Sequence, residues 1–596
     1  MRRRDAFGTL GGATLLSLLP GHPLAEPRRA NTLRVAFNAS ETGFDPLAIG
    51  DLNSAQVAAC IFEAPLTYDH LARPVKLKPN VAAALPEVSA DFTRIRVRIR
   101  PGIFFADDPA FGGRPRELVA QDFVYTVKRF YDPKLASENL YVFENAKLLG
   151  LSELRQQAID SQRPFDHDRE VDGIRALDRF TFEIRMAAPN PRFVHQLAVD
   201  RLFGAMAREV VERYGERIAE HPVGTGPYRL ASWRRASLIV LERNPRFREQ
   251  FFDGEPAEGD AQAQRLAAEL AGRRLPLADR IEIHVIDETQ PRWLAFLNGA
   301  LDVLELPAEF APMALAGDRL APHLEKRGVR QQRLLQPDMV MAYFNMRDPL
   351  VGGYAAEQVA LRRAVALAYD GEEDLRLLRR GLGIPAQSTV PPFTSGHDAS
   401  YRSEMSEHSH ARARALLDIY GYLDRDGDGW RERPDGAPLV LHLAGLPTQL
   451  DRARHELWRK HMAAVGLRMQ FDIASWPELL KRSRANALMM WSFGWSAATP
   501  DGGFFLALAY GPNGGESNDA RFALPAFDRL FERQAVLPDG PERDALMREA
   551  KNLLVAQMPY KVLRHNLLVD LVQPWVIGQW RHPFARDSWR YAGVHS

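Results

Sequence analysis

Two apolar periods alternate along most of this chain. Leu33, Val35 and Phe37 recur at every second position against Arg34 and Ala36, so residues 33–38 are expected to form a half-buried strand; 54–63 then takes helical spacing. Residues 94–100 place Ile95, Val97 and Ile99 on one face and arginines on the other, until Pro101 and Gly102 end the run. Residues 180–186 share that period with Glu183 and Arg185 outward, which predicts a solvated pair of strands rather than a nucleic-acid surface. Between them, Phe123, Val124, Val127 and Phe130 fall at helical spacing over 120–130.

Further strands are expected at 237–242, 280–286, 301–306 and 340–345, with helices at 290–299 and 357–370 and a polar helical excursion over 259–274. The clearest architecture lies at 439–444 (strand), 450–465 (helix closed by Gly466), 467–473 (strand), 476–487 (helix) and 488–493 (strand). This β-α-β-α-β order argues for an α/β lobe. Trp495 and Asp501 are expected to leave its last strand, where open α/β sheets place ligand crevices. Trp491 and Trp495 read equally well as core residues, because tryptophan is mostly buried in any fold.

With 596 residues, 46% hydrophobic and 26% charged, the chain exceeds one hydrophobic core and predicts a multi-lobed globular protein. Its start differs from the rest. Arg2, Arg3 and Arg4, an apolar run over 6–19, and breakers Pro20, Gly21 and Pro23 before Ala25 read as an export signal, residues 1–25, loosely resembling a twin-arginine type. That run is too short for a bilayer anchor. Cleavage would take Lys+Arg from 77 to 74 and Asp+Glu from 76 to 75, leaving a near-neutral chain with no long-range field for nucleic acid. The single cysteine, Cys60, can form no internal disulfide and sits among apolar neighbours, so a buried thiol is expected.

Several local motifs fail on inspection. The glycines of HPVGTGPY (221–228) are not followed by a lysine at phosphate-loop spacing. Asp424, Asp426, Asp428 and Gly429 open like a calcium loop, but the twelfth position is Asp435 and a strand follows, which favours an Asp/Gly turn. His455 and His461 are six apart and cannot share the helix face that zinc ligation needs. His408 and His410 offer at most a surface metal site. No nucleophile elbow, kinase set, dinucleotide fingerprint or Cys/His cluster appears, which moves weight from an enzyme toward a binding protein.

Taken in order, the segments IFEAPLTYD (61–69), RPGIFFADD (100–108), LVAQDFVYTVKR (118–129), HPVGTGPYRL (221–230), NGALDVLELP (298–307), YFNMRDPL (343–350) with LRRAVALAYD (361–370), GYLDRDGDG (421–429), YGPNGGESN (510–518) and LPAFDRL (524–530) resemble the solute-binding proteins of ABC importers in the peptide/nickel class, family 5. The resemblance implies an α/β fold: a two-lobed periplasmic-binding-protein clamshell, type II-like, with an extra domain inserted in the N-terminal lobe. The implied division is lobe I at 31–70, 176–286 and 560–596, the inserted domain at 71–175, and lobe II at 287–559. It also implies a soluble periplasmic monomer without enzymatic activity, cofactor or nucleic-acid partner. Such a protein takes an oligopeptide or peptide-like ligand between its lobes and delivers it to an inner-membrane ABC permease.

The same resemblance supplies candidate ligand-binding residues. Trp495 matches the tryptophan that packs on ligand in the peptide binders, and Gly494 and Ser496 match its flanks. Ala498 stands where those proteins commonly carry an Asp that pairs with the ligand's free α-amine, and Asp501 is the nearest substitute. Trp491 and Asn345 complete the set, with no metal ligand among them. A blocked, modified or longer peptide fits this departure better than a simple dipeptide. The alternative is a scavenger of metal, haem or another small cofactor on the same fold, motivated by His408, His410 and the Asp424 turn; a hydrolase has only scattered His and Asp residues behind it.

Overall fold

A computed structural model describes residues 31–595; the expected export signal, residues 1–25, lies outside the described residues. The chain folds as two α/β lobes. In the first, Thr32–Phe37 runs parallel to Arg280–Val285, which continues antiparallel through Leu238–Arg243 to Tyr228–Arg234. Alternation drives this sheet: Leu33, Val35, Ile239, Leu241, Ile281 and Ile283 are all buried.

Helix Leu52–Ile61 starts at Asp51, whose side chain accepts the Ser54 N–H at 2.8 Å. Its far end receives the 221–228 loop. A Cβ on Gly224 would lie 2.1 Å from the Ile61 carbonyl oxygen, and one on Gly226 would lie 2.6 Å from it. These glycines therefore permit backbone packing, and the phosphate-loop look of HPVGTGPY has a steric explanation. Cys60, in the same helix, is buried as expected, and burial pushes its thiol well above the usual range.

A separate four-stranded sheet joins Glu87–Val88, Arg94–Arg98, Thr181–Arg185 and Ile174–Asp178. The expected pairing of the two charged strands is present, with Arg96 opposite Glu183. Glu183 is not solvated, however: it is 1% exposed and takes Arg96 at 3.1 Å, Arg175 at 3.3 Å and Arg185 at 2.8 Å. One buried carboxylate thus gathers one arginine from each of three neighbouring strands. The boundary expected at 175/176 falls inside strand Ile174–Asp178, and the sheet runs on to Arg185.

The largest sheet has eight strands. Its β-α-β-α-β portion is as expected, with Val440–Gly445 in the middle and parallel to both Arg468–Ile473 and Met490–Ser496. Met490–Ser496 then pairs antiparallel with Asp338–Phe344, which pairs with the thirteen-residue strand Tyr560–Val572. That long strand begins at the division drawn at 559/560. Its first part pairs with Val340–Tyr343 in the second lobe. Its last part pairs with Val303–Glu305 and Arg330–Leu335, beside the first lobe, where Asp302 N–H donates to the Arg34 carbonyl at 2.8 Å. Arg330–Leu335 and Asp338–Phe344 follow one another along it, so two neighbouring strands cross between lobes. At the crossing, the Asp338 carboxylate accepts the Asn566 N–H at 2.8 Å and its side-chain amide at 2.6 Å.

Candidate functional site

A cavity of about 120 Å³ lies where the two lobes meet. Four pieces of chain wall it: the start of helix Leu52–Ile61 (Asp51, Ala55), the turn at Ala198–Arg201, the strand end at Gly494–Ser496 with Ala498, and Phe584–Arg586 near the C-terminus.

Trp495, Gly494, Ser496 and Ala498 line it together. Trp495 and Ser496 belong to the strand rather than to a following loop, because register with Met339 and Asp338 carries pairing past Gly494. A Cβ on Gly494 would sit 3.3 Å from Val340, so the strand can lie flat there and present Trp495 at its rim. The Trp495 indole packs near Phe504, at 5.9 Å between ring centroids, and its Nε1–H is buried with no hydrogen-bond partner among the described residues.

The other three expected residues are elsewhere. Trp491 is 1% exposed and packs on Trp476 and Phe493, so it is core. Asn345 is buried too. Its amide donates to the Leu488 carbonyl at 2.9 Å and its oxygen accepts the Arg347 N–H at 3.0 Å, which fixes a turn. Asp501 does not replace the carboxylate missing at Ala498; it ion-pairs with Arg543 and with Arg192. Burial pushes its carboxyl up, but the two guanidinium groups outweigh that and hold it at about 2.

Four charged side chains at the cavity carried no sequence signal. The Asp51 carboxylate is occupied by Ser54 N–H and by the Thr42 hydroxyl at 2.6 Å. Asp200 accepts the Ala64 N–H at 3.1 Å, and desolvation and then neighbouring Asp587 raise its carboxyl well above the usual range. Arg201 donates to the Asn139 side-chain oxygen at 3.0 Å. Arg586 donates to the Ser496 hydroxyl at 3.0 Å, linking the C-terminal segment to the Trp495 strand. Burial lowers Arg586 to about 10, with Arg581 and Arg201 adding repulsion. Among the described residues, neither Arg201 nor Arg586 has a carboxylate within ion-pair distance. The nearest sequence hint was the cluster HPFARDSW itself, which has no recognisable spacing.

The sequence candidates for metal lie away from this cavity. Asp424, Asp426, Asp428 and Glu432 have carboxylate oxygens within 4.8 Å of one another, but they are mostly exposed and accept backbone N–H groups of their own turn, such as Gly427 at 2.8 Å and Trp430 at 2.8 Å. His455 stacks on Phe471. His461 has both nitrogens engaged, by the Asp370 N–H at 3.2 Å and by Glu373 at 2.8 Å. His408 and His410 stand beside it, with ring centroids 4.7 Å apart.

Two α/β lobes with a cavity at their junction define a clamshell binding protein. The chain belongs to the bacterial extracellular solute-binding proteins, family 5, whose profile (family 5 Middle) matches residues 76–517. It is similar to di/tripeptide-binding protein 2 of Pseudomonas aeruginosa, at 25% identity covering 94% of each chain. It is also similar to the periplasmic oligopeptide-binding protein OppA of Salmonella typhimurium, at 23% identity over 91% of this chain and 89% of that one. Among solved structures, the periplasmic binding protein DppA of Helicobacter pylori, in complex with the peptide STSA, superposes with a TM-score of 0.74 at 17% identity, covering 95% of this chain and 98% of that one. No helix among the described residues is long and apolar enough to cross a membrane.

Proposed function

We propose that this protein is the periplasmic binding component of an ABC importer, capturing an oligopeptide or peptide-like solute between its lobes and presenting the closed form to a permease in the inner membrane. The observation that carries this reading is the cavity walled from both lobes, with Trp495 at its rim and an unpartnered indole N–H. Relatives named for di/tripeptides and oligopeptides, and a fold neighbour holding a peptide, support the solute class. Trp495, Gly494, Ser496 and Ala498 contact the ligand in this reading, while Asp501 works indirectly by joining the lobes.

The mechanism is differential binding. A ligand that touches both lobes binds the closed form more tightly than the open one and shifts the population toward it by that difference. The adjacent crossing strands are the natural hinge, because two short segments can absorb the rotation while each sheet stays intact. Extended peptides suit such a cleft, since main-chain groups can pair regardless of side chain.

Thermal unfolding of the mature protein against short-peptide pools tests the reading. Ligand at 100 times its dissociation constant stabilises by about 2.7 kcal/mol, a shift of about 2 °C for a chain of this length. No shift with any peptide pool, together with a shift caused by haem or a divalent metal, would replace it with the scavenger alternative.

A further inference from the structure

The cavity holds two carboxylates and two guanidinium groups, yet they do not pair with each other. Asp51 is committed to its helix cap and Thr42, and Asp200 accepts the Ala64 N–H. Arg201 and Arg586 donate only to neutral oxygens, those of Asn139 and Ser496. An arginine drawn out of bulk water without a counter-charge is costly, and two that repel one another are more so. Guanidinium presents five donors in a planar fork, and each of these arginines uses one donor on a neutral partner here. Ala498 on the same wall adds no third carboxylate that could hold an amine. The hydrogen-bonding capacity left over at this end of the cleft therefore belongs to the two guanidinium groups.

Resting on the peptide-binding reading, we infer that the solute's group at the Trp495 end of the cleft is a carboxylate, held by Arg586 and Arg201 against the Ser496 hydroxyl. The amine is not required there, so blocked amino termini are accepted. Arg586 is the residue that sets this preference, because it reaches from the C-terminal segment to the Ser496 hydroxyl on the Trp495 strand. A bound carboxylate would add a charge-assisted bond to that bridge and favour closure.

The test uses four random tripeptide-to-pentapeptide pools, captured by the mature protein and identified by mass spectrometry after release. Three lack acidic residues and have both termini free, the amino end acetylated, or the carboxyl end amidated; the fourth is amidated and contains one glutamate. Acetylation is expected to leave capture within about threefold, and amidation to lower it by about tenfold or more. Recovery in the glutamate pool would assign the carboxylate to a side chain, and no recovery would assign it to the C-terminus; either supports the inference. In Arg586→Gln the ratio of acid to amide capture is expected to fall close to one, with Arg586→Lys intermediate. Should Arg586→Gln not fold, Ala498→Asp supplies the second arm: a carboxylate on the cavity wall lowers acid capture and raises that of free amines. Equal capture of acid and amide pools by the wild type overturns the inference and leaves the peptide reading standing. Capture of no pool at all overturns both.

Discussion

The Nε atom of Arg192 lies 3.4 Å from the Asp501 carboxylate, and the same guanidinium donates to the Leu537 and Ala535 carbonyls, each at 2.6 Å. Arg192 precedes the turn at Phe193–Ala198 that leads to the cavity, whereas Asp501 follows the Trp495 strand. This contact therefore ties one wall of the cleft to the other while also capping helix Pro525–Val536.

Replacing Asp501→Asn leaves the fully buried Arg543 and the nearly buried Arg192 without their shared counter-charge. Both keep Asp539, and Arg543 also keeps the Gln534 side chain, which softens the loss. A destabilisation of about 2–3 kcal/mol is expected in urea unfolding. Because the folded carboxyl is held at about 2, its contribution is complete above the ordinary carboxylate range and disappears as pH falls from about 4 toward 2. Asp501→Asn should unfold with a flatter acid limb; an unchanged limb would show that Asp501 gains nothing from the two arginines.

Trp495→Ala should weaken peptide binding by about 2 kcal/mol, roughly thirtyfold, by removing a large aromatic contact at the cavity rim. Trp491→Phe, a change in the lobe core, should lower stability with a much smaller effect on affinity. Titration calorimetry beside urea unfolding separates the two, and a reversed pattern would exchange their roles.

Ala498→Asp should strengthen binding of peptides with a free amine relative to their acetylated forms, because it places a carboxylate on the cavity wall. The check is the ratio of the two dissociation constants in wild type and variant. An unchanged ratio would mean that the ligand's end does not reach Ala498.

Glu516 gives a pH dependence of opposite sign to Asp501. Burial, with the field of Glu144 from helix Leu140–Ala146, raises its carboxyl to about 7 despite Arg155 and Arg484. A raised carboxyl stabilises the form that binds the extra proton, so this contribution is present below the ordinary carboxylate range and is lost as pH rises through about 7. Stability should therefore fall between pH 5.5 and 7.5 in the wild type and fall less in Glu516→Gln. Parallel profiles for the two proteins would remove Glu516 as the source.

Local pattern was enough for the elements that stand on their own. The β-α-β-α-β portion and the strand carrying Trp495 follow from apolar period and from Gly466 closing a helix. Trp491 and Trp495 show the limit of that reasoning. They lie four residues apart on one face of one strand, about 13 Å along it, and that distance separates the lobe interior from the cavity rim. Sequence period cannot say where along a strand the lobe ends. Asp501 was visible as a carboxylate, but its partners come from residues 192 and 543. Arg201 and Arg586 meet at the cavity from 385 positions apart, and no spacing rule spans that. The long strand Tyr560–Val572 was missed because burial along nearly its whole length erases the alternation that marks a half-buried strand.

Native mass spectrometry of the protein isolated gently from its host cells tests the central claim most directly. The expected result is a stoichiometric adduct of peptide-like mass that guanidinium releases and that rebinds to the refolded protein, with Trp495→Ala retaining much less of it. A protein that carries haem or a metal instead, or peptide retained equally by Trp495→Ala, would contradict the assignment of this cleft.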